Sequence, residues 1–329
     1  MATMPVSTEV VFVQLNNTNG HLYGSIMVVG VNGQAPNASV KRRTGTVVGT
    51  IAGSTISLSF DGSALQFGTL SGRSFTMNFP RSDGSLSSVT FTRASTAAYN
   101  SAVQTLRQHL AQANQAAANA QALRHEENKI DSAAATVAAD IGSSGGSSGL
   151  VQDQASLASD VQAIPADLQT EGTDVATTQS DEQKVIAEAQ QHPNGNFGSV
   201  CSDAYSVSSD AYNVSSDAYA VHSAAYAVEQ DISTVRGDIQ GLTSDFAAFQ
   251  SIESDLPTYQ SPGAPTQHDV SKAIASANSA IASALSTTNG YIDQANADVT
   301  TAYGYAAGAY QAGNCSAPPS APSPQQHIS

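Results

Sequence analysis

The chain has 329 residues, a net charge of −15, no Trp and only nine Phe, a composition that suits two domains and excludes one large aromatic-rich core. Charge is split unevenly: residues 1–94 carry six Lys/Arg against three Asp/Glu, and residues 95–329 carry six against twenty-four. So acidic a second part repels nucleic acid and anionic membranes, and no nucleic-acid partner is expected.

Residues 1–7 read as a disordered N-terminus, and residues 8–94 as an antiparallel β domain. Val10 and Phe12 alternate with Val11, Val13 and Leu15, the period-two pattern of a strand. Asn19-Gly20 supplies a hairpin turn, Asn32-Gly33 another, and Asp83-Gly84 a last one into Val89 and Phe91. Between them the segment Gly49–Phe60 recurs nineteen residues later as Gly68–Phe79. Each copy is a strand, a tight turn at Ala52-Gly53 or Ser71-Gly72, and a second strand. Ile56, Leu58 and Phe60, or Phe75, Met77 and Phe79, share one face; Ser and Thr take the other. That predicts a sheet with one buried face. Seven or eight such strands make a meander that closes into a small barrel or stays an open curved sheet. A barrel could carry a small ligand; the plainer expectation is an interior filled by its own side chains.

From Ser95 the apolar period becomes about 3.5, and residues 95–312 read as a long helical bundle. Helices are predicted at about 96–141, 150–191, 199–256 and 266–312. The first carries a seam of Tyr99, Val103, Leu106, Leu110, Ala113, Ala117 and Ala120, resuming at Leu123, Ile130, Ala134, Val137 and Ile141. Gly142–Gly149 is a flexible Gly/Ser connection. The second helix has apolar Leu157, Val161, Ile164, Leu168, Val175 and Val185, with Pro165 and Gly172 as points of interruption. Its acids recur every seven residues: Asp153, Asp160, Asp167, Asp174, Asp181 and Glu188. Pro193-Asn194-Gly195 turns the chain.

The third helix is a repeat of eight heptads from Cys201 to Leu256: CSDAYSV, SSDAYNV, SSDAYAV, HSAAYAV, EQDISTV, RGDIQGL, TSDFAAF and QSIESDL. Ala, then Ile or Phe, holds the a position and Val, Leu or Phe the d position, a thin seam that lets partner helices approach closely. Asp sits at g in six units, and Tyr205, Tyr212, Tyr219 and Tyr226 follow a in four. The plain reading is a water-facing acidic edge with Tyr rings on the flank of the seam. The sharper reading is a binding stripe, for cations through Asp or for sugars and partner helices through Tyr. If the two acidic columns met face to face, they would repel unless a cation such as calcium sat between them. Pro257 ends this helix. Thr266 and Asp269 form a near capping box for the fourth, whose seam runs from Ile274 to Ala309. Residues 313–329 are rich in Pro and Ser and read as a disordered tail.

Cys201 and Cys315 are the only cysteines. Their midpoint falls at Pro257, so an antiparallel hairpin of helices three and four puts residue i near 516 − i. Tyr205 then lies near Tyr310, Tyr212 near Tyr303 and Tyr305, and Tyr226 near Tyr291, which supports a structural disulfide between Cys201 and Cys315. Such a bond places the protein in an oxidising compartment, secreted or at the cell surface; a cytoplasmic site is the alternative. The first ten residues lack the basic and apolar regions of an export leader, and no apolar run of about 18 residues predicts a transmembrane helix.

No catalytic constellation emerges. His21, His109, His125, His192, His222, His268 and His327 are scattered without metal-ligand spacing, and His125-Glu126-Glu127 reads as a solvated face. No phosphate loop, nucleophile elbow or dinucleotide fingerprint occurs. The expectation is therefore no enzyme, no cofactor, no metal and no catalytic residue.

The chain resembles uncharacterised secreted or cell-envelope proteins of actinobacteria. The resemblance rests on Gly49–Phe60 and Gly68–Phe79, on Tyr99-Asn100-Ser101-Ala102-Val103, on Val200-Cys201-Ser202-Asp203-Ala204 and on Cys315. It covers most of residues 8–316 and implies export and envelope association, with no known activity. The whole reads as an α+β protein with segregated parts: an antiparallel β meander followed by a long antiparallel helical bundle or coiled coil. The expected role is a non-catalytic extracellular spacer or interaction protein, with a protein or cell-wall partner. Alternatives are a small-ligand carrier built on the β domain and a self-associating coiled-coil scaffold.

Overall fold

Seven strands followed by four helices make up the computed structural model, which describes residues 9–80, 86–142, 149–192 and 197–329. The expected N-terminal end, the Asp83-Gly84 hairpin, positions 143–148 of the Gly/Ser connection and the Pro193-Asn194-Gly195 turn lie outside the described residues. Two compact units divide the chain, Met1–His125 and Glu126–Ser329.

In the first unit the strands are β1 (Glu9–Thr18), β2 (His21–Asn32), β3 (Ser39–Ala52), β4 (Thr55–Phe60), β5 (Gln66–Ser71), β6 (Ser74–Pro80) and β7 (Leu86–Thr92). They form one sheet in chain order, each antiparallel to the next. Asn19 and Gly20 both have positive φ, 51° and 80°, between the paired residues Thr18 and His21. That is the turn whose twist matches a two-residue hairpin, which is why Asn-Gly occurs there. The duplicated segment folds as two successive hairpins, β3–β4 and β5–β6, turning at the left-handed Gly53 and Gly72.

Gly49 and Gly68 occupy equivalent places in the two copies. A Cβ on either would run into backbone carbonyl oxygen of the next strand, Ser57 for Gly49 and Thr76 for Gly68. The close approach there needs a residue without a side chain. The sheet curls without closing, because β1 and β7 remain its two ends. Its inner face is filled: Val13, Val47, Leu58, Met77 and Phe91 belong to one buried cluster.

The expectation of a single buried face needs correction at β1 and β2. Val10, Phe12 and Val29 on their other face pack against Tyr99 and Leu106 of α1 (Thr96–Ile141). The Phe12 and Tyr99 rings lie 4.7 Å apart, and the Asn114 amide donates to the Ala38 carbonyl at 2.8 Å. The apolar seam of α1 is thus used at its start by the sheet, while Ala113, Ala120 and Leu123 beyond it are exposed.

The second unit holds the last part of α1 with α2 (Leu150–Gln191), α3 (Phe197–Asp255) and α4 (Gln267–Ala312). The Ala and Val columns of α3 from Ala204 to Val235 are buried in one core shared with α2 and α4. Pro165 lies inside α2 without ending it, and Gly172 does not interrupt it either; packing against two neighbours outweighs one lost backbone hydrogen bond. The Thr266–Asp269 capping box forms: the Asp269 N–H donates to Thr266 Oγ1 at 3.2 Å, and the Thr266 N–H donates to Asp269 Oδ2 at 2.9 Å. Tyr259 and Ser261, in the loop before it, both donate to Asp131 of α1.

The tail after α4 departs from the disorder expected from its composition. Asn289 and Asn296, two turns apart, each bracket its backbone with a pair of hydrogen bonds, to Ile328 and to Gln325. Ile328 is buried in the bundle core. Side-chain amides here supply the partners that Pro-rich backbone cannot find in itself.

Gly68→Val should lower the stability of the β unit by about 1–3 kcal/mol, the usual cost of overpacking. Gly237→Ala, a helical position with open space around it, should be neutral or stabilising. Calorimetry of both variants checks this; an unchanged Gly68→Val melt contradicts the close-approach account.

Candidate functional site

The chemistry-bearing residues of the bundle lie along α3. Cys201, in its second turn, meets Cys315 just after α4, with the sulfurs 2.08 Å and the Cα atoms 5.6 Å apart. The bond spans 114 residues. The α3–α4 register follows the midpoint rule: Gln250 hydrogen bonds to Gln267 at 3.3 Å, and Tyr212 lies close enough to Tyr303 to help raise its hydroxyl pKa, after burial.

On the opposite flank of α3 the acidic g column faces open water only in part: Asp203 is exposed, as the plainer expectation has it, while Asp210, Asp217, Asp231, Asp238 and Asp245 are half-buried. It meets the acidic column of α2. Asp153 lies within hydrogen-bonding reach of Asp238, Asp174 of Asp217, Asp181 of Asp210 and Glu188 of Asp203. Asp160 acts on Asp231 through its charge. The residue numbers of every rung add to 391, so this is one antiparallel register held over five rungs. Asp167 faces the one heptad that carries Ala224 in place of Asp. At the far end Asp245 finds Asp140 of α1 instead.

Like charges at this spacing hold each other's protons. Burial first, then the facing acid, raises Asp140, Asp210, Asp217, Asp231 and Asp238, the last to about 6. In the outermost rung the hydrogen bond between Glu188 and Asp203 pulls Glu188 down and pushes Asp203 up, the behaviour of one shared proton. The Oδ2 atoms of Asp140, Asp217, Asp231 and Asp238 are out of contact with solvent and have no hydrogen-bond partner among the described residues. A cleft of about 210 Å³ opens beside the Asp153–Asp238 rung, lined also by Asp140, Gly237 and Gly241.

Glu171 belongs to the same helix but to its core face. Leu150, Leu157, Ile164, Glu171, Thr178 and Val185 form a strict seven-residue column, all buried. Thr178 satisfies its hydroxyl on the Asp174 carbonyl at 2.8 Å. Glu171 is 0% exposed, and neither carboxylate oxygen has a partner among the described residues. Burial, then the charges of Asp298 on α4 and Asp217 on α3, pushes its pKa to about 8. It is therefore mostly protonated at neutral pH.

The Tyr column turns outward. Tyr205, Tyr212, Tyr219 and Tyr226 are 71%, 68%, 57% and 55% exposed, on one line of α3. No family model, curated protein or solved structure matches the chain.

Sequence reasoning found both acidic columns and both cysteines. It passed over Glu171, although counting sevens from Leu150 leads straight to it, because a charged residue is not sought in an apolar column. For Glu171 the folded pKa lies above the ordinary 4.5. Its contribution to stability is complete below that ordinary value and is lost as pH rises toward about 8, at about 1.4 kcal/mol per pH unit. Glu171→Leu should therefore raise the melting temperature more at pH 8 than at pH 5. Circular dichroism melts at the two values check this, and an equal gain at both contradicts it.

Proposed function

We propose that the protein is a non-catalytic spacer and interaction protein that works outside the cytosol and binds its partner through the α3 tyrosines. The observation that carries this reading is the line of four half-exposed or more exposed Tyr rings at heptad spacing. Tyr presents a large flat apolar body with a polar tip, at little entropic cost, and suits protein or sugar surfaces. The Cys201–Cys315 bond supports an oxidising compartment. The carrier reading has less in its favour, since Val47, Leu58 and Met77 already fill the inner face of the sheet.

Two measurements test the proposal. Tyr205, Tyr212, Tyr219 and Tyr226 replaced together by Ser should leave the fold intact and reduce co-sedimentation with isolated cell-envelope material by about tenfold or more, the scale of one well-packed aromatic contact. Equal co-sedimentation of variant and parent rejects the tyrosine surface. Separately, alkylation of intact cells before lysis should find both cysteines oxidised. Reduction of the bond in vitro should cost about 3–5 kcal/mol of bundle stability, the loss expected for a loop of this length.

A further inference from the structure

Three features of the α2–α3 interface have no role in the reading above. Five acid pairs keep a single register. Three of their oxygens, and one of the adjoining Asp140, are shielded and have no hydrogen-bond partner among the described residues. One wholly buried glutamate, Glu171, stands beside them with no hydrogen-bond partner among the described residues. Cationic side chains are sparse along this face: Lys184 lies 3 residues from Asp181 and pairs with it, and His192 stands beside Glu188. Among the described residues the other charged groups that act on these acids are themselves acids. They are Asp153, Asp160, Asp167, Asp174 and Asp181 from α2, Asp203, Asp210, Asp217, Asp231, Asp238 and Asp245 from α3, Asp298 from α4 and Asp140 from α1.

We propose that this interface is a proton-binding ladder: each hydrogen-bonded rung closes around one shared proton, Glu171 takes one more, and α2 loosens from the α3–α4 hairpin as those protons leave. The chemistry of a rung is simple. One carboxylic O–H donates to the facing carboxylate, so the pair carries one negative charge instead of two, and no other reactant is needed. Loss of that proton leaves two adjacent anions and removes the hydrogen bond that joined them. The disulfide ties α3 to α4 but does not reach α2, so α2 is the element free to respond. Among the described residues no three acid, His or Cys side chains converge at metal-ligand spacing, which favours protons over a bound divalent cation as the occupant. This inference does not rest on the tyrosine surface or on the cellular compartment.

Hydrogen exchange read by mass spectrometry on the oxidised, full-length chain tests it. After correction for intrinsic exchange, protection of α2 should fall by about 100-fold or more between pH 6 and pH 8.5, because each proton bound only by the closed state contributes about tenfold per pH unit. Asp153→Asn, Asp174→Asn, Asp181→Asn and Glu171→Gln together imitate the protonated side chains and should reduce that change to less than about tenfold. A second readout needs no variant. Denaturant unfolding of the parent in unbuffered solution at pH 7 should release protons, since the folded chain holds them and the unfolded chain does not. Protection independent of pH, or unfolding without proton release, would overturn the proposal. So would millimolar calcium restoring α2 protection at pH 8.5 to its level at pH 6, which would make the ladder a cation site.

Discussion

The heptad seam of α3 is the constraint on which the rest of the bundle depends. Its Ala and Val columns are narrow, so α2 and α4 both come close, and all three helices share one core. Closeness sets everything on the flanks. On one side it brings Cys201 to Cys315 and Tyr212 to Tyr303. On the other it presses an acidic column of α2 against an acidic column of α3. A bulkier seam would separate those columns and let water screen them. The acid ladder is the electrostatic consequence of thin packing.

Stability in this unit is therefore a contest between apolar burial and carboxylate repulsion, with protons deciding the balance. The seam from Val200 to Phe249 is a nearly continuous buried row, which offsets the burial of acids beside it. Glu171 shows the same contest within the core itself. A Leu there would complete its column, and the glutamate survives by staying neutral. The disulfide acts separately, by limiting the unfolded chain and fixing the α3–α4 register.

Much of this architecture is legible in the sequence, for reasons that differ by element. The four helix spans follow from a 3.5-residue period broken by Gly, Pro and Ser clusters, and they agree with the structure to within one or two residues. Asn19-Gly20 and the duplicated Gly49 and Gly68 segments fix hairpins because only particular residues fit left-handed turns and close strands. The cysteine pairing follows from a midpoint and a turn. What the sequence leaves open is which neighbour covers which flank. Asp at g reads equally well as an edge facing water or an edge facing another helix, and the choice depends on how α2 docks. The first turns of α1 bury Tyr99 and Leu106 on the sheet instead of in the bundle, which a helical period cannot reveal. The tail after Cys315 looks disordered by composition and is held by two Asn side chains, Asn289 and Asn296, 39 and 29 residues away in sequence from the residues they hold.

In the proposed ladder, acids of the folded bundle hold protons at neutral pH. Carboxyl carbon NMR of a uniformly labelled sample, titrated between pH 4 and pH 9, tests it most directly. Several Asp and Glu carboxyl signals should titrate well above the ordinary carboxylate range, with Glu171 at about 8. If every carboxyl titrates below about 5, within the ordinary range of exposed acids, the ladder carries no protons and the account fails.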